Sequence, residues 1–167
     1  MRDVLRELID NLDLLSDLYR EMRSLLRQEQ AILLSANIHD LQNNNQQKER
    51  LLQKIALADG ARAHLASQVA AQLGLSTEAP RLLDLAKAAP ARQGEELARC
   101  YRQLESLITE ISSLNRENEV YARSALKTLD GAMGNIRETL AGKGTYQRKG
   151  GYRLGPDQAG NFVSREA

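Results

Sequence analysis

Aromatic residues are scarce in this chain of 167 residues, which contains five tyrosines, one phenylalanine and no tryptophan. Its apolar content of 42% is therefore almost entirely aliphatic. An enzyme core of this length ordinarily contains more aromatic volume. With only three prolines and 27% charged residues, the composition is typical of long helices that pack against one another.

Other absences narrow the class of protein. The only cysteine, Cys100, cannot form an internal disulfide, and the residues after Met1 lack the apolar core of a signal peptide. No apolar run is long enough to span a bilayer. The net charge of +1 gives no excess of basic residues for binding nucleic acid. We therefore expect a cytoplasmic protein with no membrane insertion and no nucleic-acid partner.

Residues for catalysis or metal binding are also few. The two histidines, His39 and His64, each follow an alanine three residues earlier, where a di-iron bundle would need glutamate. Neither histidine has companion ligands at zinc spacing, and no glycine-rich phosphate loop is present. Cys100 is expected to be a small buried apolar residue. The sequence predicts no enzyme activity, no metal site and no cofactor.

Residues 4–36 predict one uninterrupted helix with a broad apolar face. Apolar residues recur at spacings of three and four, and further apolar side chains lie beside them, so the face is wide enough to contact two neighbouring helices. The face consists of Leu5, Leu8, Leu12, Leu15, Tyr19, Met22, Leu26, Glu29 and Leu33, with Val4, Leu18, Leu25 and Ile32 beside it.

Asn37 is expected to cap a second helix that ends near Leu73. The short connection makes the two helices antiparallel and sets Glu29 opposite Lys48, either as an ion pair or as two solvated charges. The polar segment 42–47 is a poor helix former, so it is either held by its neighbours or frayed. The predicted core face of this helix is Leu41, Lys48, Leu52, Ile55, Ala66, Val69 and Leu73.

Gly74 and Pro80 mark the end of the second helix, and residues 81–88 predict a short amphipathic helix that stops before Pro90. A long helix follows from about Glu95 to Leu140. Its three-four spacing runs through Leu97, Tyr101, Leu104, Ile108, Ile111, Asn115, Asn118, Ala122, Ala125, Leu129, Ala132 and Ile136.

Asn115 and Asn118 interrupt this apolar face. Either both are buried and fix the register of the helices, or the face rotates through Leu107, Leu114 and Tyr121 and leaves the asparagines half exposed.

Together these elements predict an all-α fold, in which an antiparallel helical hairpin packs against a long third helix as a coiled-coil-like bundle. The bundle domain is expected to span residues 1–141. Residues 142–167 contain six of the eleven glycines and predict a disordered, weakly basic tail.

The end of the long helix offers a surface for a partner. At about 1.5 Å per residue the helix measures about 65 Å, against about 50 Å for each arm of the hairpin, so its C-terminal end is expected to project. An amphipathic helix of another protein could pack on the apolar residues there. These residues are Leu126, Leu129, Met133, Ile136 and Leu140.

Several features occur in an order that resembles the FlgN-type flagellar export chaperones. They are the hairpin with its polar turn and Lys48, Leu51, Leu52 and Ile55; the long helix with Leu114, Asn115 and Asn118; and the glycine-rich tail that opens with Tyr146 and Gly150. The resemblance implies a cytoplasmic chaperone of the flagellar type III export system. Such a chaperone binds the C-terminal helical segments of hook-associated proteins, which form the hook-filament junction. It prevents their premature assembly and delivers them to the export gate.

The same resemblance assigns a role to the tail. In the family, a Tyr-Gly-x-x-Gly motif docks on the cytoplasmic domain of the export gate, which implies that role for Tyr146 and Gly150. Here Gln147 stands where the first glycine is usual, so Tyr152 is the alternative docking residue.

A rival hypothesis is a structural coiled-coil subunit that pairs with copies of itself. Self-association of the chaperone when it is free of cargo is a related expectation.

Overall fold

The computed structural model describes residues 2–35, 37–75 and 80–140. Within these ranges the chain forms four helices and no strand: α1 (Arg2–Ser35), α2 (Ile38–Gln72), α3 (Leu82–Ala88) and α4 (Ala91–Leu140). None of these helices is long and apolar enough to cross a membrane. The all-α prediction is confirmed, whereas the predicted tail, 142–167, lies outside the described residues.

Side-chain contacts fix the direction of each long helix. Lys48 of α2 pairs with Glu29 of α1, and Asp59 of α2 lies near Tyr19, so α1 and α2 are antiparallel. Helix α4 instead contacts α1 at a constant offset of 87 residues, which makes these two helices parallel. The contacting pairs are Asp13 with Cys100, Arg23 with Glu110, and Gln30 with Glu117. The predicted packing of the hairpin against a long helix is thus confirmed.

The broad apolar face predicted for α1 forms the centre of the core. Full burial of a large aliphatic side chain is worth about 1.5–3 kcal/mol, so this face contributes much of the stability. Because buried residues lie both on and beside the three-four spacing, α1 contacts α2 and α4 at once. The buried apolar residues of α1 are Leu5, Leu8, Ile9, Leu12, Leu15, Leu18, Met22, Leu25 and Leu26.

The core face of α2 differs from the prediction at one register position. Leu51 is buried, whereas Leu52 is 56% exposed. The true face runs through Asn44 and Lys48 to Leu51 and Ile55 at spacings of three and four. The polar Asn44 on the buried side concealed this register. The polar segment 42–47 is helical and is held by a neighbour, because Asn44 Nδ2 donates to the carbonyl of Leu25 at 3.0 Å.

Both ends of α2 are capped. The side chain of Asn37 accepts a hydrogen bond from the backbone N–H of Asp40 at 3.3 Å, as predicted. At the other end Gly74 adopts φ +72°, a conformation that glycine takes without steric cost. The N–H of Leu75 then bonds to Ala70 and that of Gly74 to Ala71, which is the pairing of a Schellman motif.

Helix α4 begins at Ala91, earlier than the predicted Glu95, because Gly94 lies inside the helix. The helix was expected to start just after this glycine. Gly94 is buried, and a Cβ built there would lie 2.3 Å from the carbonyl oxygen of Ala86 in α3. The glycine therefore allows α3 and α4 to approach closely and does not end the helix.

The core face of α4 also shifts from the predicted one. Leu97, Cys100, Leu104 and Leu107 are buried, and Ile111 and Leu114 pack partly against the core. The face thus passes through Leu107 and Leu114, as in the second alternative for the asparagines. Asn115 and Ile108 are exposed, yet Asn118 is buried as the first alternative had it.

The chain divides into two compact units, one ending at Tyr121 and the other beginning at Ala122. The second unit is described as far as Leu140. The predicted domain boundary at residues 141 and 142 falls beyond that point and stays a prediction.

Candidate binding surface and its supporting polar layer

A polar layer crosses the three long helices within the first unit. Lys48 Nζ lies 2.5 Å from Glu29 Oε1, and Asn118 Nδ2 donates to Glu29 Oε2 at 3.0 Å and to the carbonyl of Leu26 at 2.7 Å. The side chains of Lys48 and Glu29 are only 17% and 13% exposed. The predicted ion pair is therefore confirmed, and the interpretation of two solvated charges is wrong.

This layer fixes the register of the helices. Sliding one helix by a residue would separate Asn118 from Glu29 and leave a carboxylate without its amide donor in a largely dry setting. The side-chain oxygens of Asn44 and Asn118 are buried and have no hydrogen-bond partner in the described part of the chain. An amide whose nitrogen donates but whose buried oxygen accepts no hydrogen bond lowers the stability of the fold. What these asparagines contribute in return is a single register of the helices.

An apolar groove of about 420 Å³ lies beside the polar layer, between α1, α2 and α4. Its apolar walls include the exposed Leu52 together with Ile55 and Ile111. The sequence does not predict this groove, because the apolar spacing of α2 assigns Leu52 to the core. The remaining lining residues are Tyr19, Met22, Leu26, Asn45, Lys48, Glu49, Ser112 and Asn115.

Helix α3 borders a different cavity, of about 790 Å³, which is more polar and includes Arg62, Arg81 and Lys87 in its lining. Leu85 anchors α3 in the core and is fully buried. Within the described residues, α3 therefore lines this second cavity and is not among the residues that line the apolar groove.

Ion pairs at the surface join α1 to α4. Arg23 Nη1 donates to Glu110 Oε2 at 2.9 Å, and Arg27 Nη2 donates to Glu110 Oε1 at 2.7 Å. The hydrogen bond from Arg23 and the positive charges of both arginines hold the pKa of the Glu110 carboxyl below its ordinary value of 4.5. This carboxylate thus favours the parallel packing of the two helices only while it is ionised.

Cys100 is fully buried, and its Sγ donates to Asp13 Oδ1 at 3.5 Å. Burial, with the nearby Asp13 carboxylate, raises the pKa of the thiol to about 11. A thiol of that pKa is a poor nucleophile at neutral pH. Across the described ranges no group of three or more His, Cys, Asp or Glu could hold a metal ion.

The second unit presents the residues predicted to bind a partner. Each is at least half exposed, from 51% for Met133 to 74% for Leu140. They follow the same three-four spacing as the buried face between Leu97 and Asn118. We call this set the exposed stripe: Leu126, Leu129, Met133, Ile136 and Leu140.

The residues predicted to dock on an export gate, Tyr146 and Gly150, lie outside the described residues, as does the alternative Tyr152. Their role stays a prediction.

The fold and the exposed stripe define the class of protein: an all-helical protein whose longest helix carries a large apolar face open to another helix. A protein-family model described as FlgN protein matches residues 1–153. The chain belongs to the FlgN family, which is a family of flagellar export chaperones. No curated protein and no solved structure gives a significant match.

Proposed function

We propose that the protein binds the C-terminal helical segments of hook-filament junction proteins, keeps them unassembled, and delivers them to the flagellar export gate. It acts in the cytoplasm and without catalysis of its own. The observation that carries the proposal is the exposed stripe, five large apolar side chains at helical spacing and all at least half exposed. Membership of an export-chaperone family supports the same role.

The stripe suits a helical cargo for physical reasons. An amphipathic helix that has lost its assembly partners exposes an apolar face, and a second apolar stripe at matching spacing covers it by interdigitation of side chains. Met133 at the centre of the stripe is unbranched and polarizable, so it adapts to cargo side chains of different shape. Cargo bound in this way cannot use the same face to assemble.

Delivery is assigned to the C-terminal residues. The family match extends to residue 153 and so includes Tyr146, Gly150 and Tyr152. We propose that Tyr146 and Gly150 dock on the cytoplasmic domain of the export gate. Separation of this segment from the stripe would let one molecule hold cargo and search for the gate together.

The cargo site is tested by isothermal titration of the full chain with a peptide from the C-terminal helix of a junction protein. Leu129→Asp and Ile136→Asp each place a charge in the proposed interface, and we expect at least about tenfold weaker binding. Thr128→Asp, on the same exposed turn but off the stripe, is the matched control and should bind as the wild type does. Unchanged binding by both stripe variants contradicts the proposal, as does loss of overall helix content in circular dichroism.

The gate site is tested separately, with the purified cytoplasmic domain of the gate. Tyr146→Ala should weaken gate binding and leave the affinity for the cargo peptide unchanged. If Tyr152→Ala weakens it instead, the alternative residue carries the docking role. Equal loss of gate and cargo binding in the Tyr146 variant would contradict the separation of the two sites.

A further inference from the structure

Two opposite charges flank the exposed stripe on one side. In a heptad repeat labelled a to g, the stripe residues occupy positions a and d. Asp130 and Arg137 both occupy position e, directly after d. Position g, on the other side of the stripe, is occupied by Ala125, Ala132 and Thr139, which carry no charge. The stripe thus has one charged edge and one neutral edge.

Asp130 and Arg137 cannot neutralise each other within one helix. They are seven residues apart, which is about 10.5 Å along the axis. Both side chains are exposed, and neither forms an ion pair with any residue that the structure describes. Lys127 lies three residues before Asp130 but forms no ion pair with it, and the described residues three and four positions from Arg137 include no acidic one. A second helix packed on the stripe can place an opposite charge beside each of them.

We propose that the partner of the stripe in the cargo-free protein is the same stripe of a second copy, packed antiparallel about a two-fold axis between Gly134 and Asn135. In this arrangement Leu129 packs on the second copy's Leu140, and Met133 on its Ile136. The charged edges then face each other. Asp130 of each copy lies beside Arg137 of the other, so the two ion pairs form together.

Charge selects this arrangement over the alternatives with the same apolar contacts. Shifting the antiparallel pairing by one heptad, so that Leu129 meets Met133, sets Asp130 beside the second copy's Asp130, which is repulsive. A parallel pair would instead set Asp130 against the neutral edge formed by Ala125 and Ala132, with no charge pairing. Of these pairings, only the proposed register places an opposite charge beside both Asp130 and Arg137.

The pairing has a consequence for cargo. It covers four of the five stripe residues and leaves Leu126 outside the paired layers. A pairing of only four layers is short, so the dimer is weak and dissociates when a longer cargo helix competes for the same face. The stripe can hold cargo or a second copy, and self-pairing shields the apolar face until cargo arrives.

Sedimentation equilibrium of the full chain over a range of protein concentrations tests the pairing. We expect a monomer–dimer equilibrium for the wild type. Asp130→Arg and Arg137→Asp each convert both ion pairs into repulsive contacts, and each should weaken the dimer about tenfold. The double exchange Asp130→Arg with Arg137→Asp reverses both charges and should restore dimer affinity to near the wild-type value. The charge-matched controls Glu138→Arg and Lys127→Asp lie off the stripe and should leave dimer affinity unchanged.

Three results would overturn the inference: a wild-type chain that is monomeric at every concentration, an Asp130→Arg variant that dimerises as the wild type does, or a double exchange that fails to restore the dimer. Leu126→Asp and Leu129→Asp add a test of register, since only the second should abolish the dimer, and equal loss contradicts the register. The peptide titration keeps the two proposals distinguishable. If the chain binds cargo peptide but stays monomeric, self-pairing alone is refuted. If it forms the dimer but does not bind cargo peptide, the proposed function alone is refuted.

Discussion

Helix α4 contains two stretches with the same apolar spacing and opposite environments. Between Leu97 and Asn118 the three-four pattern is buried or packs partly against the core, whereas between Leu126 and Leu140 the same pattern is at least half exposed. The first stretch contains two polar side chains, Asn118 and Glu110, that bond to residues of α1 and so fix its packing partner. In the second stretch the hydroxyls of Thr128 and Thr139 donate to backbone carbonyls of the same helix, four residues earlier.

The comparison shows what apolar periodicity does and does not establish. A three-four spacing means that one face of a helix gains free energy when it is covered. It does not identify the covering partner. In the first stretch that information comes from polar groups with defined partners on α1. For the second we propose that it comes from another molecule.

The largest expected difference between the two stretches is in the cost of truncating a leucine. Leu97→Ala removes a fully buried side chain and should lower the free energy of unfolding by about 2–5 kcal/mol. Leu129→Ala removes a side chain that is 55% exposed and should change it by less than about 0.5 kcal/mol. Urea unfolding followed by circular dichroism measures both values. Equal losses would mean that the stripe belongs to the folded core.

The polar layer gives the next largest effect. Lys48→Met leaves the Glu29 carboxylate without its ammonium partner in a setting that is largely buried, and we expect a loss of about 2 kcal/mol. Replacing both residues, Glu29→Met with Lys48→Met, should recover part of that loss because no charge is left unpaired. The exposed Asn115→Ala is the control and should be nearly neutral. A double variant less stable than Lys48→Met would contradict the assigned role of the layer.

Replacing a glycine of α4 by alanine should change the stability in opposite directions in the two stretches. Gly94→Ala drives a Cβ to within 2.3 Å of the Ala86 carbonyl oxygen and should destabilise the fold by about 1–3 kcal/mol. Gly131→Ala meets no atom within 4 Å and should stabilise the local helix by up to about 1 kcal/mol. Amide hydrogen exchange around each position reports the change. A stabilising Gly94→Ala would show that α3 and α4 are not in close contact.

The smallest effect concerns pH. Because the pKa of Glu110 is lower in the folded chain than its ordinary value of 4.5, the ionised carboxylate stabilises the fold above about pH 4.5. That contribution is lost as the pH falls through the folded pKa. Glu110→Gln should therefore unfold with a weaker dependence on pH below 4.5 than the wild type, at low ionic strength. Glu138→Gln, from the second stretch, should keep the wild-type dependence, and the reverse pattern would contradict the ion pairs.

Much of this fold could be predicted from the sequence. The uninterrupted spacing of α1, the cap at Asn37 and the proline after α3 are local signals, and each led to the correct helix boundary. The Glu29–Lys48 pair followed from the length of the hairpin connection. The predictions that were wrong concern Leu52, Ile108 and Gly94. For Leu52 and Gly94 a contact between helices decided the outcome.

Those contacts have no local signature. Asn44 occupies a core-face position because its amide donates to a carbonyl of α1, which a search for apolar spacing passes over. Gly94 is required by the Ala86 carbonyl, eight residues away in another helix. The stripe could be predicted from the sequence, because an exposed apolar face has the same periodicity as a buried one. The groove beside Leu52 could not be predicted.

Amide hydrogen exchange along α4, with and without a cargo peptide from a junction protein, tests the central claim most directly. In the free chain we expect slow exchange between residues 97 and 118 and fast exchange between residues 122 and 140, measured at a concentration where the chain is monomeric. Saturating peptide should slow exchange in the second range and leave the first unchanged. Protection gained only in the first range, or in neither, would contradict the account.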